Sequence, residues 1–326
     1  MTTTAPRPPE LDAEAGRIWR MISASVFEGG GIRVDADTLE TARGYELTSR
    51  DSLLSDRPYT ERTVSIPGPA GPMSLSVFTP ERHDAPAPAL YWIHGGGMVL
   101  GTRYDAGEAL EVATTAGAVV ASIEYRLAPE HPAPAPGDDC YAGLLWLAEH
   151  AGELGVDPAR IVLGGTSAGG GLSAATALRV RDHGGPPLAG VLLCCPMLDD
   201  RMATVSANQF GDDIVWTHAS NDFGWHALLG DRAGTERVTV YEVPGRATDL
   251  SGLPPTYIDV GSADIFRDED AAFASTIWAC GGDAELHVWP GGYHGFELLA
   301  PAAALSRDAF EARRRWIARV VAPRSS

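Results

Sequence analysis

With 326 residues, 44% of them hydrophobic, the chain can bury one large core or two modest ones, which excludes wholesale disorder. A formal net charge of −18 repels phosphate backbones, so no nucleic-acid partner is expected. No apolar run reaches the length of a membrane span, and none precedes the acidic residues near the N-terminus, so a cytoplasmic protein without a membrane span is expected.

Residues 1–9, rich in Thr and Pro, read as a tail. Leu11, Ala15, Ile18, Trp19 and Ile22 then recur at helical intervals and predict an amphipathic helix. Residues 29–60 carry a glycine cluster and a mixed helical signal. The stretch "TVSIPGPAGPMSLSVFTP" reads as two strands around a Gly/Pro turn. Short apolar runs follow at 89–93, 118–124, 160–165, 189–195, 255–261 and 284–290, most of them spaced widely enough for a crossover helix. Near-continuous apolar runs suit strands buried on both faces, so the expected fold class is α/β, a mostly parallel central sheet flanked by helices. The interval 196–254 is too long for one crossover and carries Trp216 and Trp225 at helical spacing. It is expected to fold over one end of the sheet and to pair with the N-terminal helix as a lid. Cys140, Cys194, Cys195 and Cys280 lack metal-site spacing and read as free buried thiols, with Cys194 and Cys195 pointing in different directions along a strand.

The stretch "VLGGTSAGGG" sets Ser167 among five glycines, directly after the strand "RIVLGG" and directly before a helical pattern. Strand, G-x-S-x-G turn and helix form the context in which a serine is pushed out as a nucleophile, and only minimal side chains fit beside such a turn. "HGGG" at 94–97 follows the strand "ALYWI" and offers consecutive unhindered N–H groups that can bind an oxyanion. A phosphate-binding loop is the competing reading, but no Lys-Ser/Thr follows and no G-x-G-x-x-G opens a helix. His94, inside this turn, is expected to be a structural hydrogen-bonder rather than a base. A serine hydroxyl needs a base, and the base needs an orienting acid. Asp264 is the first acid past the strand "PTYIDVG", and His294 lies on a glycine-flanked loop past "AELHVWP". Both therefore fall at the sheet edge that bears Ser167. The rival acids Asp268, Glu269 and Asp270 sit further into a helix and are expected to be solvated. The rival histidines His131, His218, His226 and His287 do not combine a strand-end loop with this order.

Together, "HGGG" at 94–97, "YRLAPEHPAPAPGDDC" at 125–140, "GTSAGG" at 165–170, "SADIFRDE" at 262–269 and "YHGF" at 293–296 resemble the hormone-sensitive-lipase-like branch of the α/β-hydrolases, bacterial esterase family IV. "LDDR" at 198–201 and "RATDLSGLPPTY" at 246–257 look like its heroin-esterase and acetyl-esterase type of member. The resemblance implies Ser167 as nucleophile, His294 as general acid/base and Asp264 as its orienter. It implies oxyanion donors at the backbone N–H of Gly96, Gly97 and Ala168. It also implies a cap segment at 1–60, core at 61–198, a cap insertion at 199–235 and core at 236–326. Thr166 stands where many members have Asp, and Met98 where an aromatic residue is usual, which alters the pocket. Tyr125, Arg126 and Glu130 are expected to tie the loops behind the site together.

The implied activity is hydrolysis of short-chain carboxylic esters, with Met98, Trp216, His218 and Trp225 as candidate substrate-binding residues. No cofactor or metal is implied; the partner is a small-molecule ester, and a homodimer is an expectation because family members commonly form one. An amidase, arylformamidase or lactonase on the same triad stays open, as does a non-catalytic receptor, against which the intact His294 motif argues.

Overall fold

The computed structural model describes residues 7–44 and 48–323. Most of the expected N-terminal tail, residues 1–6, lies outside them. Eight strands follow in chain order: β1 (Tyr59–Gly68), β2 (Gly71–Pro80), β3 (Ala87–Ile93), β4 (Val119–Ile123), β5 (Val156–Thr166), β6 (Gly190–Cys194), β7 (Thr256–Ala263) and β8 (Ala284–Tyr293). They form one sheet in the order β1-β2-β4-β3-β5-β6-β7-β8. Pairing is antiparallel for β1/β2 and β2/β4 and parallel for all other neighbours. β1 begins at Tyr59, two residues inside the cap segment drawn at 1–60.

The apolar runs are strands because each face of the sheet has its own layer to meet. Leu90 and Trp92 of β3, Val162 of β5 and Leu192 of β6 point to the face covered by Phe310, Trp316 and Ile317 of the helix Ala304–Val320. Tyr91, Ile93, Leu163 and Leu193 alternate to the opposite face, where Leu144 and Leu147 of the helix Ala135–Glu149 and Ala174 and Leu178 of the helix Ala168–His183 pack. This is the period-2 alternation of a strand buried on both sides. From β3 the chain adds β4 on one side and then returns to add β5 on the other. The carboxyl ends of β3 and β5 therefore flank the point where strand order reverses, where ligands bind in open α/β sheets.

Arg313 anchors the last helix beneath that edge. It is 1% exposed and donates to Asp259 at 2.8 and 2.9 Å, to Glu297 at 2.7 Å and to Glu108. A buried guanidinium is tolerable only when so fully paired. Its hold on Glu297 fixes the loop just after β8.

The N-terminal segment and the insertion are stitched to each other. The first helix starts at Ala15 rather than Leu11; in the turn before it the Asp12 carboxylate accepts the N–H groups of Glu14 and Ala15 at 2.9 and 2.8 Å. Trp19 Nε1 donates to Asp213 O at 2.8 Å, Gly31 N to Asp212 O at 2.7 Å and Ile32 N to Val215 O at 2.8 Å. The Tyr293 hydroxyl donates to Ala15 O at 3.1 Å, joining the same helix to the end of β8. Within the insertion, the expected helical pairing of Trp216 with Trp225 does not occur. Thr217 is the N-cap of the helix His218–Leu229, its side chain accepting from Ser220 N, so Trp216 lies outside that helix and bridges to Ile32.

Candidate active site

Ser167 sits between β5 and the helix Ala168–His183 with φ 56° and ψ −123°, a strained conformation for a residue with a side chain. The turn is tight enough to require its glycines. A Cβ at Gly169 would lie 2.0 Å from Ile93 O, and one at Gly165 would lie 2.4 Å from Gly169 O. The strain is held by Ser167 N donating to Cys194 O at 2.8 Å and by Met197 N donating to Ser167 O at 2.9 Å.

His294 reaches this serine from the loop after β8. Its Nε2 lies 3.0 Å from Ser167 Oγ, and its Nδ1 lies 2.8 Å from Asp264 Oδ2. Asp264, 1% exposed, follows β7, and its other oxygen accepts the Phe266 N–H at 3.0 Å. Three strand ends thus bring together groups that are far apart in sequence. Burial alone would pull the His294 pKa down, but the Asp264 carboxylate beside it prevails and holds it above the usual value. A base must be neutral to accept a proton, and a raised pKa keeps it protonated to higher pH. The acid limb of kcat/KM is therefore expected to have its midpoint above about pH 6.5, the ordinary imidazole value. A pH–rate profile with full activity at pH 5 would contradict this.

The glycine turn after β3 closes the other side. Gly96 and Gly97 have φ 111° and 61°, and their N–H groups, like that of Ala168 at the helix start, meet no acceptor among the described residues. Donors so arranged at a helix N-terminus can stabilise developing negative charge. Arg43 holds this turn from the N-terminal segment, donating to Val99 O and Ala128 O at 2.8 Å each and pairing with Glu130 at 2.7 Å. Sequence reasoning missed Arg43, whose main partners are backbone carbonyls with no sequence signature. Behind the turn, the Tyr125 hydroxyl donates to His94 O at 3.0 Å, and Arg126 grips Asp139 through two bonds of 2.7 and 2.8 Å. His94 is fully buried, stacked on Tyr125 at 4.2 Å with Nδ1 on Gly95 O, in keeping with a structural part.

A cavity of about 1580 Å³ opens over Ser167 and His294, lined also by Phe27, Ile32, Leu53, Trp216, Leu299 and Phe310. Trp216 is the one member of the expected substrate-binding set on its wall, its ring so close to Gly97 that a Cβ there would lie 2.5 Å away. The other three expected residues do not line it. Met98 is 1% exposed, and its left-handed backbone (φ 67°) turns the side chain into the core. Trp225 is 1% exposed and packs in the same core. His218 opens its helix on the outer surface, with Nδ1 on Ala207 O at 2.9 Å.

The rival acids also depart from expectation. Glu269 and Asp270 are buried, not solvated. Glu269 accepts the N–H groups of Leu198 and Asp199 at 2.7 and 3.2 Å and so fastens the root of the insertion. Neither oxygen of Asp270 has a hydrogen-bond partner among the described residues, and burial pushes its carboxyl well above the ordinary range. Of the cysteines, Cys140, Cys194 and Cys195 are buried, whereas Cys280 is partly exposed.

Residues 90–298 match the family described as alpha/beta hydrolase fold. The chain is 37% identical over 278 residues to Carboxylesterase NlhH of Mycobacterium tuberculosis, covering 82% of this chain and 86% of that protein. It is 35% identical over 313 residues to Carboxylic ester hydrolase LipN of Mycobacterium tuberculosis, covering 92% and 82%. Among solved structures, Bacterial Heroin Esterase superposes with a TM-score of 0.87 at 38% identity, covering 97% of this chain and 98% of that one.

Proposed function

The chain belongs to the alpha/beta hydrolase fold family and is a carboxylic ester hydrolase, and we propose that it works through Ser167, His294 and Asp264 on small-molecule, short-chain esters. The observation that carries this reading is the unbroken relay from Ser167 Oγ through His294 to Asp264, at 3.0 and 2.8 Å. Ser167 Oγ attacks the ester carbonyl while His294 Nε2 takes its proton. Asp264 keeps the imidazole in the tautomer with its proton on Nδ1 and stabilises the imidazolium that forms. The carbonyl oxygen, now an anion, is held by the N–H groups of Gly96, Gly97 and Ala168. His294 then protonates the departing alcohol, and a water hydrolyses the acyl-enzyme by the same route. The described residues before β1, 7–44 and 48–58, and residues 199–235 act as the cap that walls the cavity, a reading supported by the mutual hydrogen bonds of the two segments.

Acyl length is limited by Trp216, whose ring abuts the glycine turn where the reacting carbonyl is held. An open pocket would reward each added methylene by about 0.8 kcal/mol. Acetyl to hexanoyl p-nitrophenyl esters are therefore expected to give the highest kcat/KM, with dodecanoyl at least about tenfold lower (about 1.4 kcal/mol). Trp216→Ala should move the optimum to longer chains. Trp225→Ala should leave the optimum in place and instead cost about 3–5 kcal/mol of stability, as for other buried Trp truncations. A wild-type optimum at dodecanoyl would overturn the short-pocket reading and leave the triad assignment intact.

A further inference from the structure

Behind the His294–Asp264 pair stands a third ligating side chain that the esterase chemistry does not use. Cys195 follows β6, 4% exposed, with φ 37°, a left-handed conformation that costs energy in a residue other than glycine. The strain is held by Cys195 N donating to Asp259 O at 2.7 Å. The thiol's hydrogen-bonding contact is with Thr166 Oγ1, at 3.7 Å. Ligating atoms of Cys195, Asp264 and His294 all lie within 4.8 Å of one another, the one such group of His, Cys, Asp and Glu among the described residues. The sequence spacing of the cysteines could not reveal it, because its three members come from three different strand ends.

We propose that Cys195, Asp264 and His294 form an inhibitory site for a thiophilic divalent cation such as Zn²⁺ or Cd²⁺. Thiolate, imidazole and carboxylate are the donor set these ions take, with a water in the fourth position. Metal–sulfur and metal–nitrogen bonds of about 2.3 and 2.0–2.1 Å place tetrahedral ligands about 3.5 Å apart, so Cys195, within 4.8 Å of the other two, closes by up to roughly 1 Å, while His294 Nδ1 and Asp264 Oδ2, 2.8 Å apart, must open by roughly 0.7 Å. A thiolate, a carboxylate and a dication sum to zero charge, so burial does not oppose the complex as it would an unpaired ion. The cation enters from the cavity, which both Thr166 and His294 line.

Two events follow binding, and they balance. The Cys195 thiol loses its proton to solvent as the metal–sulfur bond forms. The metal takes His294 Nδ1 from Asp264, and the ring proton moves from Nδ1 to Nε2. Nε2 then donates to Ser167 instead of accepting from it, so the serine has no base. The loss of activity rests on His294 being the base of the proposed triad; the binding itself does not.

The test is titration with Cd²⁺ alone of the full chain carrying Cys280→Ser, which removes the more exposed thiol. One Cd²⁺ per chain is expected, with a cadmium–thiolate absorption band, a matching loss of hydrolysis, and recovery on adding EDTA. Cys195→Ala and Cys195→Ser should keep the basal activity, lose the band, and need at least about tenfold more Cd²⁺ for half-inhibition. Should those variants not fold, ¹⁵N NMR of the His294 ring on the Cys195-containing protein decides instead, the proton moving from Nδ1 to Nε2 as Cd²⁺ binds. Equal sensitivity of the Cys195 variants, or inhibition with no band and an unchanged His294 tautomer, would overturn the site. A band at one equivalent without loss of activity would uphold the metal site and count against His294 as the base.

Discussion

Ser167→Ala is expected to lower kcat by about 10⁶-fold, the scale on which serine hydrolases lose activity when one triad member is removed. The reason is local. Among the described residues the hydroxyl is the one nucleophile in hydrogen-bond contact with His294, at 3.0 Å. The surrounding turn is fixed by backbone bonds and glycine contacts that alanine leaves untouched, so the variant should fold. KM should change little, because the cavity wall is unaltered. Clean protein retaining a tenth of wild-type activity would exclude Ser167 as the nucleophile.

The second large effect is expected at Asp264→Asn, a loss of about 10⁴-fold in kcat, as for the corresponding change in a well-studied triad. Asn preserves shape but presents an amide donor. Asp264 Oδ1 is already committed to the Phe266 N–H at 3.0 Å, so the amide N–H₂ must face His294 Nδ1. That selects the tautomer with the proton on Nε2, which cannot accept from Ser167. The carboxylate that raises the His294 pKa is also gone, so any residual acid limb should move to lower pH. Asp270 cannot take over. It is fully buried, makes no hydrogen bond to His294, and is pushed toward its neutral form by burial and by the neighbouring Glu269. If Asp264→Asn keeps most of its activity while Asp270→Asn loses it, the orienting acid has been misassigned.

The sheet was legible because buried parallel strands leave near-continuous apolar runs, and each of the six runs overlaps an observed strand. The residues of the relay were legible because Ser167, Asp264 and His294 each fall immediately after a strand, so one topological argument put them on one edge. The walls of the site were not. The stretch holding Trp216 and Trp225 reads as one helix, yet the Thr217 cap separates them and sends one to the cavity and the other to the core. Asp268, Glu269 and Asp270 look like an exposed acidic first turn, since nothing local reveals that the acceptor needed by Leu198 N and Asp199 N is Glu269. Arg43 and Cys195 were silent for the same reason. Their partners are fixed by tertiary approach, and neither helical nor strand periodicity reports it.

A nucleophilic role for Ser167 requires that it be acylated during turnover. Its most direct test is a short reaction with a p-nitrophenyl acetate excess, quenched in acid, followed by peptide mapping by mass spectrometry. A burst of nitrophenol is expected, with one acetyl group per chain found on the peptide bearing Ser167 and none in Ser167→Ala. Acetyl on a different residue, or steady turnover of the ester by Ser167→Ala at the wild-type rate, would contradict it.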